Sequence, residues 1–300
     1  MEQSIENNPL FEAFASQKTR EAATARIESL STLVDAGSSD LRGVGSAWTR
    51  AYYGGDFDLV VPVAGQTALS LVFVQSKDGN TGGGDPAALG GGPTDQHLIY
   101  EGLSRVAADA VLAGAGTVHA GAFFSVWHPE LVALRQALGL RRHPSQIVIS
   151  KRGRLNFDAL LFNVPGVPAY LIAGDECMAG RAAWLRARPW VSHIPLTAGN
   201  LQSAIDRLRD VEGIRRISSI GGRFTASRLV DAGLAQDLYL TTTAVEGGAP
   251  GTPWYSGVAV PQLEVVTRKQ WFDHGAVITF EHFLIRGHQA FSSASRPAGV

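Results

Sequence analysis

Cysteine is almost absent: Cys177 is the only one in 300 residues. That excludes an intrachain disulfide framework and any multi-cysteine zinc site. The eight histidines form no HExxH segment and no His-x-His pair, so no metal is expected. Charge of one sign is missing too. The 26 basic and 27 acidic side chains leave a formal charge of −1, which argues against a general attraction to nucleic acid or anionic lipid. No apolar run reaches the roughly 20 residues of a membrane span, and residues 1–20 hold no apolar signal core. A reduced, cytoplasmic chain with neither nucleic-acid nor membrane partners is expected. Apolar residues at 45 % and charged residues at 18 % are globular composition.

Residues 1–65 read as an extension that packs on the core. Leu10, Phe14, Ala22, Ile27, Leu30 and Val34 have helical spacing, and an aromatic stretch from Trp48 to Phe57 follows. From residue 66 strands alternate with helices. Ala68–Gln75 is a buried strand by composition, followed by the turn Ser76-Lys77-Asp78-Gly79 and a glycine-rich stretch to Gly92. Pro93-Thr94-Asp95 opens a helix to about Ala107, with Thr94 or Asp95 as its cap. Strands are expected at 109–113, 146–150, 168–173, 214–220 and 236–245. Helices are expected at 129–139, 179–187, 200–210 and 223–232. Two alternating strands, about 263–271 and 276–285, meet at Asp273-His274-Gly275, a hairpin signal. The polar residues 287–300 read as a frayed tail. This order implies a mostly parallel sheet with helices on both faces and a C-terminal antiparallel hairpin.

Two glycine turns, Gly114-Ala115-Gly116-Thr117 and Gly221-Gly222-Arg223-Phe224, each follow an apolar strand and precede a helix. Glycine lets a backbone approach a ligand, and a helix start offers free N–H groups to phosphate. Tight turns also use glycine for geometry alone. Neither turn fits GxGxxG or GxxxxGK[ST], which weighs against Rossmann and P-loop readings. The chain holds no GxSxG nucleophile elbow, which weighs against a hydrolase. Ser150-Lys151-Arg152 ends a strand with a hydroxyl and two cations, suited to a phosphomonoester or simply solvated.

These motifs, in this order, resemble the riboflavin-biosynthesis pyrimidine reductases of the dihydrofolate-reductase-like superfamily. Ser76-Lys77-Asp78-Gly79 is similar to their S-x-D-G turn, and Ala108–Val118 to their ADAVLVGAGTV segment. Gly221–Leu240 is similar to their GGP…LLxAGLVDELxL block. The resemblance covers residues 66–286 and implies an NADPH-dependent oxidoreductase of a small molecule, commonly a homodimer. It places Gly114, Ala115, Gly116 and Thr117 along the nicotinamide and its ribose, and Ser150, Lys151 and Arg152 at the 2′-phosphate. Gly221, Gly222, Arg223 and Phe224 would face the pyrophosphate.

Departures from the pattern bear on the substrate. The deaminase Pro-Cys-x-x-Cys is missing, and Asn80 stands where the family places a lysine. His119-Ala120-Gly121-Ala122-Phe123 replaces an acidic run, and Ile220 replaces a glutamate. Each lost hydrogen-bonding partner costs a polar substrate about 1–3 kcal/mol, so a less charged cyclic imine, enone or pterin-like ring is expected. Asp78 is the first candidate for orienting substrate or relaying a proton, or it only forms its turn. His119 is a candidate acid or a plain loop histidine. Ser76, Asn80 and Trp127 are candidates for the substrate pocket, with packing the alternative for Trp127. Asp95, Gln96 and His97 are explained by helix capping. Two other readings stay open: a genuine reductase of riboflavin synthesis, and an NADPH-binding relative without catalysis.

Overall fold

The computed structural model describes residues 8–82, 89–151, 155–197 and 200–289. Helix α1 (Pro9–Ala23) opens it, with the Asn8 side chain accepting the Leu10 and Phe11 amides at 3.1 Å. Strands β1 (Ser31–Asp35) and β2 (Leu41–Val44), helix α2 (Ala47–Tyr52) and strand β3 (Phe57–Val60) complete the N-terminal part. Strand β4 (Ala68–Gln75) leads to the short turn α3 (Gly92–Thr94), which continues as a π-helix over Asp95–Leu103. There follow β5 (Ala110–Gly114), α4 (Pro129–Ala137), β6 (Ser145–Ser150), β7 (Ala169–Ala173), α5 (Ala182–Arg186) and β8 (Val191–Pro195). The remainder is α6 (Leu201–Glu212), β9 (Arg216–Ser219), α7 (Arg223–Asp231), β10 (Asp237–Thr242), β11 (Val260–Asp273) and β12 (Ala276–Gln289).

One ten-stranded sheet orders them β1-β11-β12-β10-β4-β9-β5-β6-β7-β8, and β2 pairs separately with β3. From β10 to β8 all pairs are parallel, while β12, β11 and β1 add antiparallel ladders at one side. Period-two alternation divides the core. Val111, Ala113, Val148 and Leu171 face one layer, which α1, the π-helix and α4 cover. Leu69, Leu112, Ile147 and Ile172 face the other, under α6 and α7. This is the mostly parallel sheet with a C-terminal hairpin that the strand–helix alternation implies, and the dihydrofolate-reductase-like α/β architecture that the family resemblance implies.

The hairpin forms at the expected turn. Asp273 pairs with Ala276, and His274 (φ 48°) and Gly275 (φ 82°) are both left-handed. A two-residue loop of that hand matches the twist of the two strands. Other expectations are corrected. The helix predicted from Leu10 to Val34 stops at Ala23, and Ser31–Asp35 instead pairs with β11. A β-branched segment beside an open strand edge satisfies its backbone better in the ladder than in a helix. Phe11, Leu30, Tyr53 and Phe57 from the same N-terminal region are buried in the main core. The hairpin strands are longer than predicted, and β12 carries the ladder to Gln289, past the predicted start of the frayed tail. Val191–Pro195 forms an unpredicted edge strand. Neither Thr94 nor Asp95 caps its helix: Gly91 precedes it without a side-chain cap, and the Thr94 hydroxyl accepts the Glu28 amide at 2.9 Å. No helix among the described residues is long and apolar enough to cross a membrane.

Arg135 ties α4 to the end of the π-helical segment. Its guanidinium donates to the carbonyls of Arg105 (3.1 Å), Val106 (3.2 Å), Ala108 (2.7 Å) and Arg141 (2.6 Å). Burial lowers its pKa to about 10, which leaves it charged at neutral pH. Four carbonyls would lose their donor in Arg135→Met, at about 1–3 kcal/mol for each one left unsatisfied. Urea unfolding of that variant should show a stability loss of about 3 kcal/mol or more; a loss below 1 kcal/mol would show the carbonyls find other donors.

Candidate active site

The parallel strands end in register. Leu71 of β4 and Leu112 of β5 both pair with Ser219 of β9, and Leu112 also pairs with Ile147 of β6. Two residues further along, Gly221, Gly114 and Ile149 reach one rim at the C-terminal edge. Open α/β sheets bind ligands at this edge. The predicted turns Ser76–Asn80, Gly114–Thr117, Ser150-Lys151 and Gly221–Phe224 all leave the sheet there. Arg152 lies outside the described residues.

Two of these turns meet at one side chain. A Cβ on Gly114 would stand 2.8 Å from the Thr225 hydroxyl, and one on Gly221 would stand 2.8 Å from the Thr225 Cβ and methyl. Glycine at both positions lets β5 and β9 close on the first turn of α7. Gly116 and Gly222 are different: added Cβ atoms there would meet nothing within 4 Å. Their backbones therefore border open space. Gly222 precedes α7 with no side-chain cap, which leaves the first amides and the positive end of the helix dipole facing the rim. Arg223 donates to the Gly251 carbonyl (3.3 Å) and lies 4.8 Å from the ring centroid of the exposed Phe224. Lys151 is exposed at the end of β6, and Ser150 beside it is buried.

The candidate acid–base residues separate. The exposed Asp78 accepts the Gly247 amide at 3.0 Å, as a tie between two loops. Ser76 is buried and accepts the Asn80 amide at 3.3 Å. His119 is exposed on the turn after Thr117. Trp127 is not at the rim. After Val118 the chain runs back across the sheet, where the Phe124 amide and carbonyl each bond the Gln146 side chain at 2.9 Å near the start of β6. There Trp127 is buried against Phe14, Phe123 and His143. It closes the core under α1 at the opposite end of the strands from the glycine turns. Of the two alternatives, the structure gives packing.

Three groups escaped the sequence reading. Asp95, read there as a cap, receives the Thr241 hydroxyl of β10. Thr241 pairs with Val74 of β4, one residue past the level of the glycine rim. Strand β10, which carries Thr241, lies two strand spacings, about 10 Å, from β9. Burial pushes its carboxyl up to about 6, against the lowering effect of the Thr241 hydrogen bond. Glu101, six residues further along the π-helix, takes the Gln96 amide (3.0 Å), the Trp127 N–H (2.9 Å) and His97 (3.3 Å). Burial opposes its ionisation, yet those bonds outweigh it and its pKa is lowered. Thr225 is the third. A lone carboxylate or hydroxyl in a helix carries no periodic signal, so only the fold identifies these partners. Among the described residues no group of three or more His, Cys, Asp or Glu side chains is placed to hold a metal.

Strand ends in register beneath glycine turns give the chain the architecture of an oxidoreductase domain of the riboflavin-pathway reductase type, the class its family match supports. The chain belongs to the RibD C-terminal domain family, whose model matches residues 69–273. A pyrimidine reductase-like protein from Corynebacterium diphtheriae shares the fold at TM-score 0.58 and 22 % identity, over 74 % of this chain and 93 % of that one. The riboflavin biosynthesis reductase of Saccharomyces cerevisiae matches at 0.51 and 17 %, over 74 % and 92 %. A Thermotoga maritima diaminohydroxyphosphoribosylaminopyrimidine deaminase/5-amino-6-(5-phosphoribosylamino)uracil reductase matches at 0.52 and 16 %, over 74 % of this chain and 57 % of that one. At these identities the likeness shows the fold. No curated protein sequence matches the chain significantly.

The wedge at Thr225 gives a double-mutant test. Gly114→Ala should destabilise the domain by about 1–3 kcal/mol through overpacking. Adding Thr225→Ala should restore most of that loss, because the hydroxyl that the new Cβ would meet at 2.8 Å is then gone. Additive losses in thermal or urea unfolding would show that the two residues do not press on each other.

Proposed function

We propose that the domain is an NADPH-dependent reductase delivering hydride to a C=N, C=C or C=O group of a small cyclic metabolite. The observation that carries this is the meeting of two glycine turns on Thr225 beside an uncapped helix start. That is a cradle in which added Cβ atoms would fill the packing at Gly114 and Gly221, while Gly116 and Gly222 stay open. In this reading Gly114–Thr117 borders the nicotinamide, Gly221–Phe224 the pyrophosphate, and Ser150, Lys151 and Arg152 the 2′-phosphate. NADPH, when bound, supplies the hydride. A reduced, cytoplasmic homodimer belongs to the same proposal.

Asp95 takes the proton role that the sequence reading gave to Asp78 or His119. A carboxyl with a pKa near 6 is partly protonated at neutral pH, and its Thr241 bond fixes its direction. It would give a proton to the substrate atom beside the carbon that receives hydride, and recover it from water.

Titration of the purified chain with NADPH and NADH tests the cofactor. Saturable binding of NADPH at about micromolar levels, with NADH much weaker, is expected; binding of neither nucleotide would reduce the glycine turns to structural features. Asp95→Asn should lower kcat about 100-fold or more while leaving NADPH affinity within about twofold. The wild-type rate should fall as pH rises through about 6, where the acid is lost. Stability should follow the same direction. The folded pKa lies above the ordinary carboxylate value, so ionised Asp95 weakens the fold, and its contribution is lost as pH rises through about 6. Thermal unfolding of Asp95→Asn should therefore improve, relative to wild type, from pH 5 to pH 8; an unchanged difference would place the Asp95 pKa elsewhere.

A further inference from the structure

The residues before the reductase strands enclose a cavity of about 250 Å³ against the hairpin, apart from the glycine rim. One water needs far less space. Three carboxylates line it: Asp35 at the end of β1, Asp56 just before β3, and Asp58 within β3. Phe57 and Leu59 of β3 enter the main core, so the period of two turns Asp58 the other way. Cβ atoms added at Gly37 and Gly55 would meet nothing within 4 Å, so the backbone at both borders open space. The cation of the lining is Lys269 of β11.

The charges around this cavity are unequal. Arg50 pairs with Asp56 at 3.1 Å. Lys269 is 4 % exposed, and its ammonium donates to the Thr32 hydroxyl (2.7 Å) and the Gly54 carbonyl (3.4 Å). It faces both Asp35 and Asp58, and one ammonium cannot neutralise two carboxylates. Burial, then the Asp35 carboxylate, raise the Asp58 pKa, and His282 and Lys269 oppose that only in part.

A second observation points to a ligand. Tyr53 is 1 % exposed and lies beneath the cavity, its ring centroid 4.4 Å from the Lys269 ammonium. Its hydroxyl is buried and has no hydrogen-bond partner among the described residues. Burial, then the charges of Asp58 and Asp35, push its pKa up, so the hydroxyl stays protonated and faces the same two carboxylates. A buried hydroxyl left unbonded is costly, and an N–H donor lodged between the carboxylates would satisfy it. A bare metal ion does not fit, because among the described residues no three His, Cys, Asp or Glu side chains converge to hold one. Carboxylates spread around a cavity suit a cation whose N–H groups are spread as well.

We infer that this cavity binds a small organic cation bearing several N–H groups, a diamine or a guanidinium, between Asp35 and Asp58 with the Tyr53 hydroxyl as acceptor beneath. Apart from Thr267 and Lys269, the lining residues all precede residue 69, where the family match begins. The site therefore does not depend on the reductase reading, and its test needs neither NADPH nor turnover.

Putrescine and agmatine are suitable probes, titrated calorimetrically against the full-length chain. About 0.1 M salt limits the effect of distant charges, the Debye length then being about 10 Å. Wild type should bind one equivalent of either amine with a Kd of about 1 mM or tighter. Tetramethylammonium, which has no N–H, and Mg²⁺ should bind at least about tenfold more weakly. The tighter of the two amines identifies the ligand as an ammonium or a guanidinium. Asp58→Asn should weaken binding at least about tenfold, and Asp35→Asn stands in if that variant fails to fold. Asp210→Asn removes the same charge from α6 and should change affinity by less than about twofold. Tyr53→Phe should weaken binding at least about threefold without lowering the Tm of the free protein, because the hydroxyl has no partner there to lose. A purely structural tyrosine would show the reverse. The inference is overturned if neither amine binds saturably, or if tetramethylammonium or Mg²⁺ binds as tightly. Equal losses in Asp210→Asn and Asp58→Asn, or unchanged affinity in Tyr53→Phe, would overturn it as well.

Discussion

The close contact between Thr225 and two glycines is the constraint on which the rim depends. Strand β9 lies between β4 and β5, so the turn that leaves it must share its space with the turn leaving β5. Close-packed interiors tolerate no spare methyl at such a junction. Glycine at 114 and 221 lets both turns close on the first residues of α7, and the helix start is thereby aimed at the rim. Larger residues would lift α7 from the sheet and turn its free amides away. Catalysis by positioning demands tolerances below an ångström, and this junction is where the fold sets them.

Acid–base character is distributed by environment. Asp78 and Asp95 are the same residue type near the same sheet edge. Asp78 is exposed and its carboxylate serves as a loop tie. Asp95 is drawn under the chain between the π-helix and β10, where burial raises its pKa to about 6. Glu101 shows the third outcome, a buried carboxylate kept ionised because donors surround it. Burial alone thus predicts no role; the number of donors that accompany it decides between a proton carrier and a structural anion.

The N-terminal residues matter to this balance through packing. Phe11 and Phe14 of α1 cover Phe123 and Trp127, and Trp48 of α2 stacks on His128 at 4.5 Å. The Trp127 amide in turn holds Glu101, one helical segment away from Asp95. Residues before the reductase strands therefore brace the helix that carries the candidate acid. The edge strand β1 covers part of β11, whose backbone would otherwise be open to another chain.

Local sequence was enough for the parallel strands, the hairpin turn and both glycine turns. Their signals are short-range: apolar runs of strand length, an Asp-His-Gly turn, glycine after a buried strand. The segment from Ala108 to Val118 carried the family resemblance for the same reason. Pairings across long separations were not legible. Ser31–Asp35 looks helical by spacing until β11 offers it an edge, and Val191–Pro195 becomes a strand only because β7 stands beside it. Trp127 was open between pocket and core until Phe14, Phe123 and His143 closed around it, and Asp95, explained by helix capping, instead receives the Thr241 hydroxyl. A side chain's environment is set by whichever element the chain brings against it, and hydrogen bonds such as Thr241 to Asp95 span 146 residues of sequence. Composition and periodicity thus determined which segments could form the sheet, and tertiary packing decided which carboxyl has its pKa raised toward neutrality.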